Sequence, residues 1–217
     1  MITEERISTF IESLDPGNTP FLEELEQYAI KTNVPIIRPQ MQSFLKVLLA
    51  MKQPRRILEV GTAIGFSALL MAEYGPSDCE ITTIEKYEKR IPIAKENFAK
   101  AGRQKQITLL EGDATELLKQ LTGPYDFIFM DAAKGQYIHF LPDILRLMED
   151  GGLLVSDNVL QDGDIMESRF AVVRRNRTIH SRMRDYLYEL EHHECLQTCI
   201  LPVGDGVTVS VKRRSSL

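Results

Sequence analysis

Residues 56–65, RILEVGTAIG, decide how the rest of the chain is read. RILEV is an apolar run of strand length, and GTAIG turns it into a helical pattern from about Phe66 to Tyr74. The same unit then recurs. EITTIE precedes a helical pattern from about Glu88 to Ala101, and QITLLEG precedes one near Thr115 to Leu121. DFIFMD leads into a pattern from Tyr137 to Met148, and GGLLVSD is the fifth apolar run. Strand-length runs alternating with helices predict an α/β fold, a mostly parallel sheet covered on both faces. Ligands of open α/β sheets lie at the carboxyl ends of the strands. That rule puts the site at Glu59–Gly61, Glu85, Asp113, Asp131 and Asp157–Asn158, so all five strands end in acid or acid–amide.

Upstream, residues 3–14 and 20–32 read as two short amphipathic helices separated by DPGNTP. Gln40 to Met51 repeats Met41, Phe44, Leu45, Leu48 and Leu49 at helical spacing, and Pro54 stops it. Downstream, Arg169 to His192 has a helical pattern. The two strand-like runs around Gly-Asp-Gly in QTCILPVGDGVTVSVKR predict an antiparallel hairpin at the sheet's edge. No linker divides the chain. It reads as one domain, 1–217, with a helical part over 1–53 and an α/β core over 54–217.

With 43% apolar and 26% charged residues over 217 positions, a soluble globular protein with one sizeable core is expected. No apolar run approaches a membrane span, and the acidic, polar start MITEERIST is no secretory signal. Cys79, Cys195 and Cys199 are too scattered for a disulfide framework, which points to reduced thiols and a cytoplasmic location. The net charge is −5, but Arg169 to Arg184 holds six arginines and no acid. The remainder carries 20 basic and 31 acidic residues. An acidic body with one basic stretch needs explaining.

Gly61 and Gly65 permit a tight turn and close backbone approach to a ligand ahead of a helix N-terminus. Their G-x-x-x-G spacing is neither the dinucleotide fingerprint nor a P-loop, and such a turn is often only structural. Glu85 can accept both hydroxyls of a ribose or stand as a solvated strand end. Asp113 can accept from an adenine amino group or cap the helix near Thr115. Together, with no basic residue in the Gly loop, they favour a ligand with ribose and adenine but no pyrophosphate. S-adenosylmethionine (SAM) is such a ligand. Asp131, Asp157 and Asn158 offer hard oxygens at one edge of the sheet, suited to Mg²⁺. The absence of His and Cys there disfavours zinc. Lys134, three residues after Asp131, can serve as a base or as a fixed charge.

EVGTAIGFSA, TTIE, GDA, DAAKGQY, SDNV and LPVGDG occur in this order over almost the whole chain. Together they resemble the cation-dependent O-methyltransferase family, which includes catechol and caffeoyl-CoA methyltransferases. VPI before the third helix, GTAIG, DAAKGQY and the arginine cluster are most similar to a bacterial branch that methylates tRNA 5-hydroxyuridine. The resemblance implies a Rossmann-like class I SAM-dependent methyltransferase fold and a homodimer. SAM contacts are implied at Ile37, Glu59, Gly61, Ser67, Glu85, Asp113 and Asp131. Ile37 would close over the methionine moiety. Asp131, Asp157 and Asn158 are implied as ligands of Mg²⁺ or another divalent cation, with Lys134 near the acceptor hydroxyl. Catechol methyltransferases have a Tyr-Cys pair where this chain has Ala63-Ile64, so no polar role carries over there.

The implied chemistry is methylation of one of two adjacent oxygens, which both a catechol and 5-hydroxyuridine present. The basic stretch turns the expectation towards tRNA, with Arg174, Arg175 and Arg177 on phosphates. On a continuous helix Arg174, Arg177 and Arg184 would share one face. The alternatives are a catechol-like or CoA-linked small molecule, and a non-catalytic RNA-binding protein; binding alone needs no metal set. His180, His192 and His193 read as surface residues, and LPVGDG as the shaper of the hairpin, near a dimer contact by resemblance.

Overall fold

The computed structural model describes residues 5–214. Residues 3–4 of the first expected helix lie outside the described residues. Three helices come first: α1 (Glu5–Glu12), α2 (Pro20–Thr32) and α3 (Pro39–Lys52). A proline opens both α2 and α3, where the missing N–H costs nothing. Asn33 and Gln53 end them in left-handed conformation.

The alternating units follow, as β1 (Arg56–Val60), α4 (Phe66–Tyr74), β2 (Glu80–Glu85), α5 (Ile91–Lys100), β3 (Ile107–Glu111) and α6 (Ala114–Gln120). After β4 (Tyr125–Met130) come α7 (Tyr137–Leu147) and β5 (Met148–Asp157). The chain then runs through α8 (Arg177–His192) into β6 (Leu196–Leu201) and β7 (Val207–Lys212). α5 starts three residues later than the periodicity predicts, because Pro92 fits only in its first turn.

The sheet order is β3-β2-β1-β4-β5-β7-β6. β1 to β5 pair in parallel, and β7 is antiparallel to both β5 and β6. Alternation along the strands separates two cores. Ile57, Phe127, Phe129 and Val155 pack with α2 to α5 on one face. Leu58, Val60, Ile128, Met130 and Leu154 pack with α6 to α8 on the other. The strand order reverses between β1 and β4, and a crevice opens outside the carboxyl ends of strands at such a point. Among the described residues no helix is long and apolar enough to cross a membrane.

The basic stretch is not one helix, which corrects the expectation for Arg169 to His192. Arg174 to Asn176 form a short 3-10 turn, and α8 begins only at Arg177. The Arg177 guanidinium donates back to the carbonyls of Val172 and Phe170, at 3.3 and 3.2 Å. Buried Val172 anchors the turn. A side chain thus satisfies carbonyls that helix amides would otherwise reach, and the helical-face grouping of Arg174 with Arg177 and Arg184 does not hold. His180 is also not a surface residue. It is buried, with Nε2 at 3.1 Å from the Glu167 carbonyl.

Candidate active site

A cleft of about 790 Å³ lies at the switch point. Its first wall is the loop after β1. Gly61 has φ +107°, and a Cβ there would sit 2.1 Å from the Asp131 carbonyl, so only glycine lets β1 and β4 meet this closely. Two side chains hold the loop: Glu85 Oε2 accepts from the Ala63 amide at 2.7 Å, and Asn97 donates to the Ile64 carbonyl at 2.8 Å. The other Glu85 oxygen accepts from the amides of Lys86 and Tyr87, which fixes the carboxylate at the rim.

Asp113 takes the capping role and also lies on the cleft. Its Oδ1 caps α6 by accepting from the Thr115 amide at 2.9 Å, and the side chain lines the cleft. Hydrogen bonds from Thr115, with help from Lys86 at 3.2 Å, hold the Asp113 carboxyl below its usual range. Ile37, Gly61, Ser67, Glu85, Asp131, Lys134 and Asn158 also line the cleft. Gln42 pins Ile37 by donating to its carbonyl at 3.0 Å.

Two expected residues stand behind the wall. Glu59 is fully buried and does not face the cleft, so the SAM contact that the resemblance implies for it is not a direct one. Its side chain lies on the α4 side of the sheet, where Ser67 and Thr83 both donate to it, and Thr62 hydrogen-bonds Thr83. Glu59 therefore reaches the cleft through the hydroxyls of Ser67 and Thr62. Burial pushes its carboxyl up to about 7, against the two hydroxyl bonds. Asp157 is also buried, its Oδ1 accepting from the Asn158 amide at 2.7 Å. Burial raises its carboxyl above the ordinary range, the charge of Asp131 adds to this, and Lys134 opposes it.

At the centre of this edge the Lys134 ammonium lies 2.9 Å from Asp131 Oδ1 and 2.6 Å from Asn158 Oδ1. Lys134 opens a 3-10 turn after β4, and Asn158 follows β5 with φ +56°. Beneath them the hydroxyl of buried Tyr137 contacts the Met130 carbonyl, the Asp157 carbonyl and the Ala132 amide, within 3.2 Å. The site thus holds hard oxygens about a positive charge, with a carboxylate behind them that burial disfavours. A divalent cation fits that donor set: it would take the place of the ammonium on these oxygens and favour the ionised form of the buried carboxylate. Among the described residues no group of three or more His, Cys, Asp or Glu side chains is placed to hold a metal. Here the third donor is an amide.

Residues 12–213 match the O-methyltransferase family. The chain belongs to that family. Among its relatives is Catechol O-methyltransferase of Niastella koreensis, 36% identical over 135 residues, which are 60% of this chain and 61% of that one. Caffeoyl-CoA O-methyltransferase 5 of Nicotiana tabacum is 32% identical over 213 residues, 91% of this chain and 86% of that one. The structure of the O-methyltransferase from Bacillus cereus in complex with SAH superposes with a TM-score of 0.85 at 25% identity. It covers 98% of this chain and 100% of that one. The chain is a SAM-dependent O-methyltransferase, and its mixed seven-stranded sheet is the class I SAM methyltransferase fold.

Five arginines of the methyltransferase's basic stretch divide into two groups. Arg177, Arg182 and Arg184 donate to carbonyls of their own chain, Arg182 to Gly135 at 3.1 Å and Arg184 to Ile165 at 3.0 Å. They tie loops of their own chain, so Arg177, expected on a phosphate, has two of its donors engaged within the fold. Arg174 and Arg175 are exposed, next to Asn176 on the cleft wall.

Sequence reasoning missed Arg38 and Asp205. Both line the cleft, and the Arg38 guanidinium meets Asp205 Oδ2 at 2.9 Å across 167 positions of chain. The only hint was the aspartate inside Gly-Asp-Gly, which was read as a turn.

Proposed function

We propose that the enzyme transfers the SAM methyl group to one of two adjacent oxygens on a small acceptor, catechol-like or CoA-linked, at a divalent-cation site. The observation that carries this is the Lys134 ammonium held between the oxygens of Asp131 and Asn158. It marks a spot that stabilises positive charge, as a cation-assisted transfer requires. The relatives named for catechol and caffeoyl-CoA support a small acceptor. SAH, the product left when SAM gives up its methyl, is bound in the B. cereus relative.

Asp131, Asn158 and, behind them, Asp157 would hold the cation. A divalent cation such as Mg²⁺ held there would supply Lewis-acid chemistry, favouring ionisation of the acceptor hydroxyl. The chain's own residues supply the remainder. Glu85 offers its carboxylate to the ribose hydroxyls, and Asp113 marks the adenine end. Gly61 and Ser67 form the wall along which the methionine part lies, with Ile37 above it. Lys134 lies on the same edge: as the neutral amine it takes the proton of the acceptor hydroxyl while the methyl passes from the SAM sulfur to the oxygen and leaves SAH, and as the ammonium it steadies the oxyanion. Fixing nucleophile and methyl in line is worth much of the barrier reduction.

Arg174 and Arg175, exposed beside Asn176, favour a second reading, 5-hydroxyuridine in the tRNA anticodon. The test is methyl transfer from labelled SAM to a catechol, to caffeoyl-CoA and to tRNA containing 5-hydroxyuridine. Turnover of either small acceptor, with none on tRNA, is expected. Turnover on tRNA alone would overturn the small-acceptor reading.

A further inference from the structure

The Gly204–Gly206 turn is built onto the loop that carries Asn158. Val159 and Leu160 donate their amides to the carbonyls of Gly206 and Asp205, both at 2.9 Å. Gly206 has φ +84°, and a Cβ there would lie 2.4 Å from Leu160 Cγ. The turn therefore has no room for another residue at this contact. It delivers one side chain to the site, Asp205.

The Asp205 side chain is only 12% exposed and makes four polar contacts, one of them with the Asp162 carboxyl. Its Oδ1 accepts from the Asp162 amide at 3.2 Å. Its Oδ2 accepts from Arg38 at 2.9 Å and from Asn158 Nδ2 at 3.4 Å. The last contact matters because an amide has two unlike ends. Asn158 turns its NH₂ towards the Asp205 carboxylate and its carbonyl oxygen towards the Lys134 ammonium. The flipped amide would set NH₂ against ammonium and carbonyl against carboxylate, so both neighbours select the same orientation. Arg38 pairs with both Asp205 and Asp162, the latter at 3.2 Å, and it joins this turn to the segment carrying Ile37.

We propose that Asp205 is a positioning residue for the cation site: by taking the Asn158 NH₂ it keeps the amide oxygen aimed at the cation. This rests on the cation reading above. Partners of this kind typically contribute ten- to a hundredfold to metal affinity.

The test is Mn²⁺ binding, read from the free-ion electron paramagnetic resonance signal, on wild type, Asp205→Ala and Asp205→Asn. SAM affinity without cation and cation-free thermal unfolding are measured alongside. Asp205→Ala is expected to lose about tenfold in Mn²⁺ affinity, with SAM affinity kept within about twofold. Asp205→Asn, whose carbonyl can still accept, is expected to recover part of the loss even if Asp205→Ala folds poorly. Mn²⁺ binding by wild type that neither substitution changes would overturn the role of Asp205. So would losses of Mn²⁺ affinity, SAM affinity and melting temperature that run in parallel in both variants. No Mn²⁺ binding by wild type would instead overturn the cation reading itself.

Discussion

Glu59 is fully buried, and burial pushes its carboxyl up to about 7, from 4.5 for an ordinary glutamate. Between those values the folded chain binds the extra proton, so stability must fall as pH rises through this window. The full effect of such a shift is about 3 kcal/mol. Glu59→Gln keeps an acceptor and a donor for Ser67 and Thr83 but removes the titration. Urea unfolding at pH 5 and pH 8 should show the variant gaining on wild type at the higher pH; the same difference at both would contradict the burial argument. The sequence could place Glu59 only at a strand end. Alternation along β1 decides that it points to α4, while Gly61, two positions on, opens into the cleft. Strand-end reasoning works for Glu85, Asp131 and Asn158 as cleft positions because backbone topology alone brings strand ends together. Asp205 and Arg38 escaped it because an ion pair across 167 positions leaves no local pattern.

At the scale of elements, the meeting of β1 with β4 is the tightest contact of the site. Gly61→Ala would push a methyl into the Asp131 carbonyl, so backbone must move. Forced overpacking typically costs about 1–3 kcal/mol. Here the shift would fall on the Asp131 loop. A lower melting temperature together with weakened SAM binding is expected from calorimetry and titration; a variant with wild-type values for both would show the contact to be dispensable. The sheet itself was legible because each buried parallel strand is a short apolar run bounded by a turn. The start of α8 was not, because periodicity sees arginines at helical spacing but not that Arg177 turns back to Phe170 and Val172. The same periodicity hid that α8 fastens the Lys134 turn through Arg182.

Across the whole molecule, charge is organised around the cleft. Carboxylates from β2, the loop after β4, the loop before α6 and the Gly204–Gly206 turn line it, while half of the basic stretch is consumed in holding loops. Arg182→Ala is therefore expected to destabilise the fold by about 1 kcal/mol, the worth of a hydrogen bond, and to slow turnover through the Lys134 turn. Replacing Arg174 and Arg175 together should leave stability within about 0.5 kcal/mol. Chemical denaturation of both variants checks the contrast, and equal losses would contradict the division between tied and exposed arginines. The central claim, that the Asp131, Asp157 and Asn158 edge works with a divalent cation, has one direct measurement. Methyl transfer to a catechol is followed in wild type and Asp157→Ala after chelation and again after Mg²⁺ is restored. Wild type should lose turnover on chelation and regain it with Mg²⁺, while folded Asp157→Ala stays inactive throughout. Turnover that survives chelation, or near-normal activity in Asp157→Ala, would contradict the account.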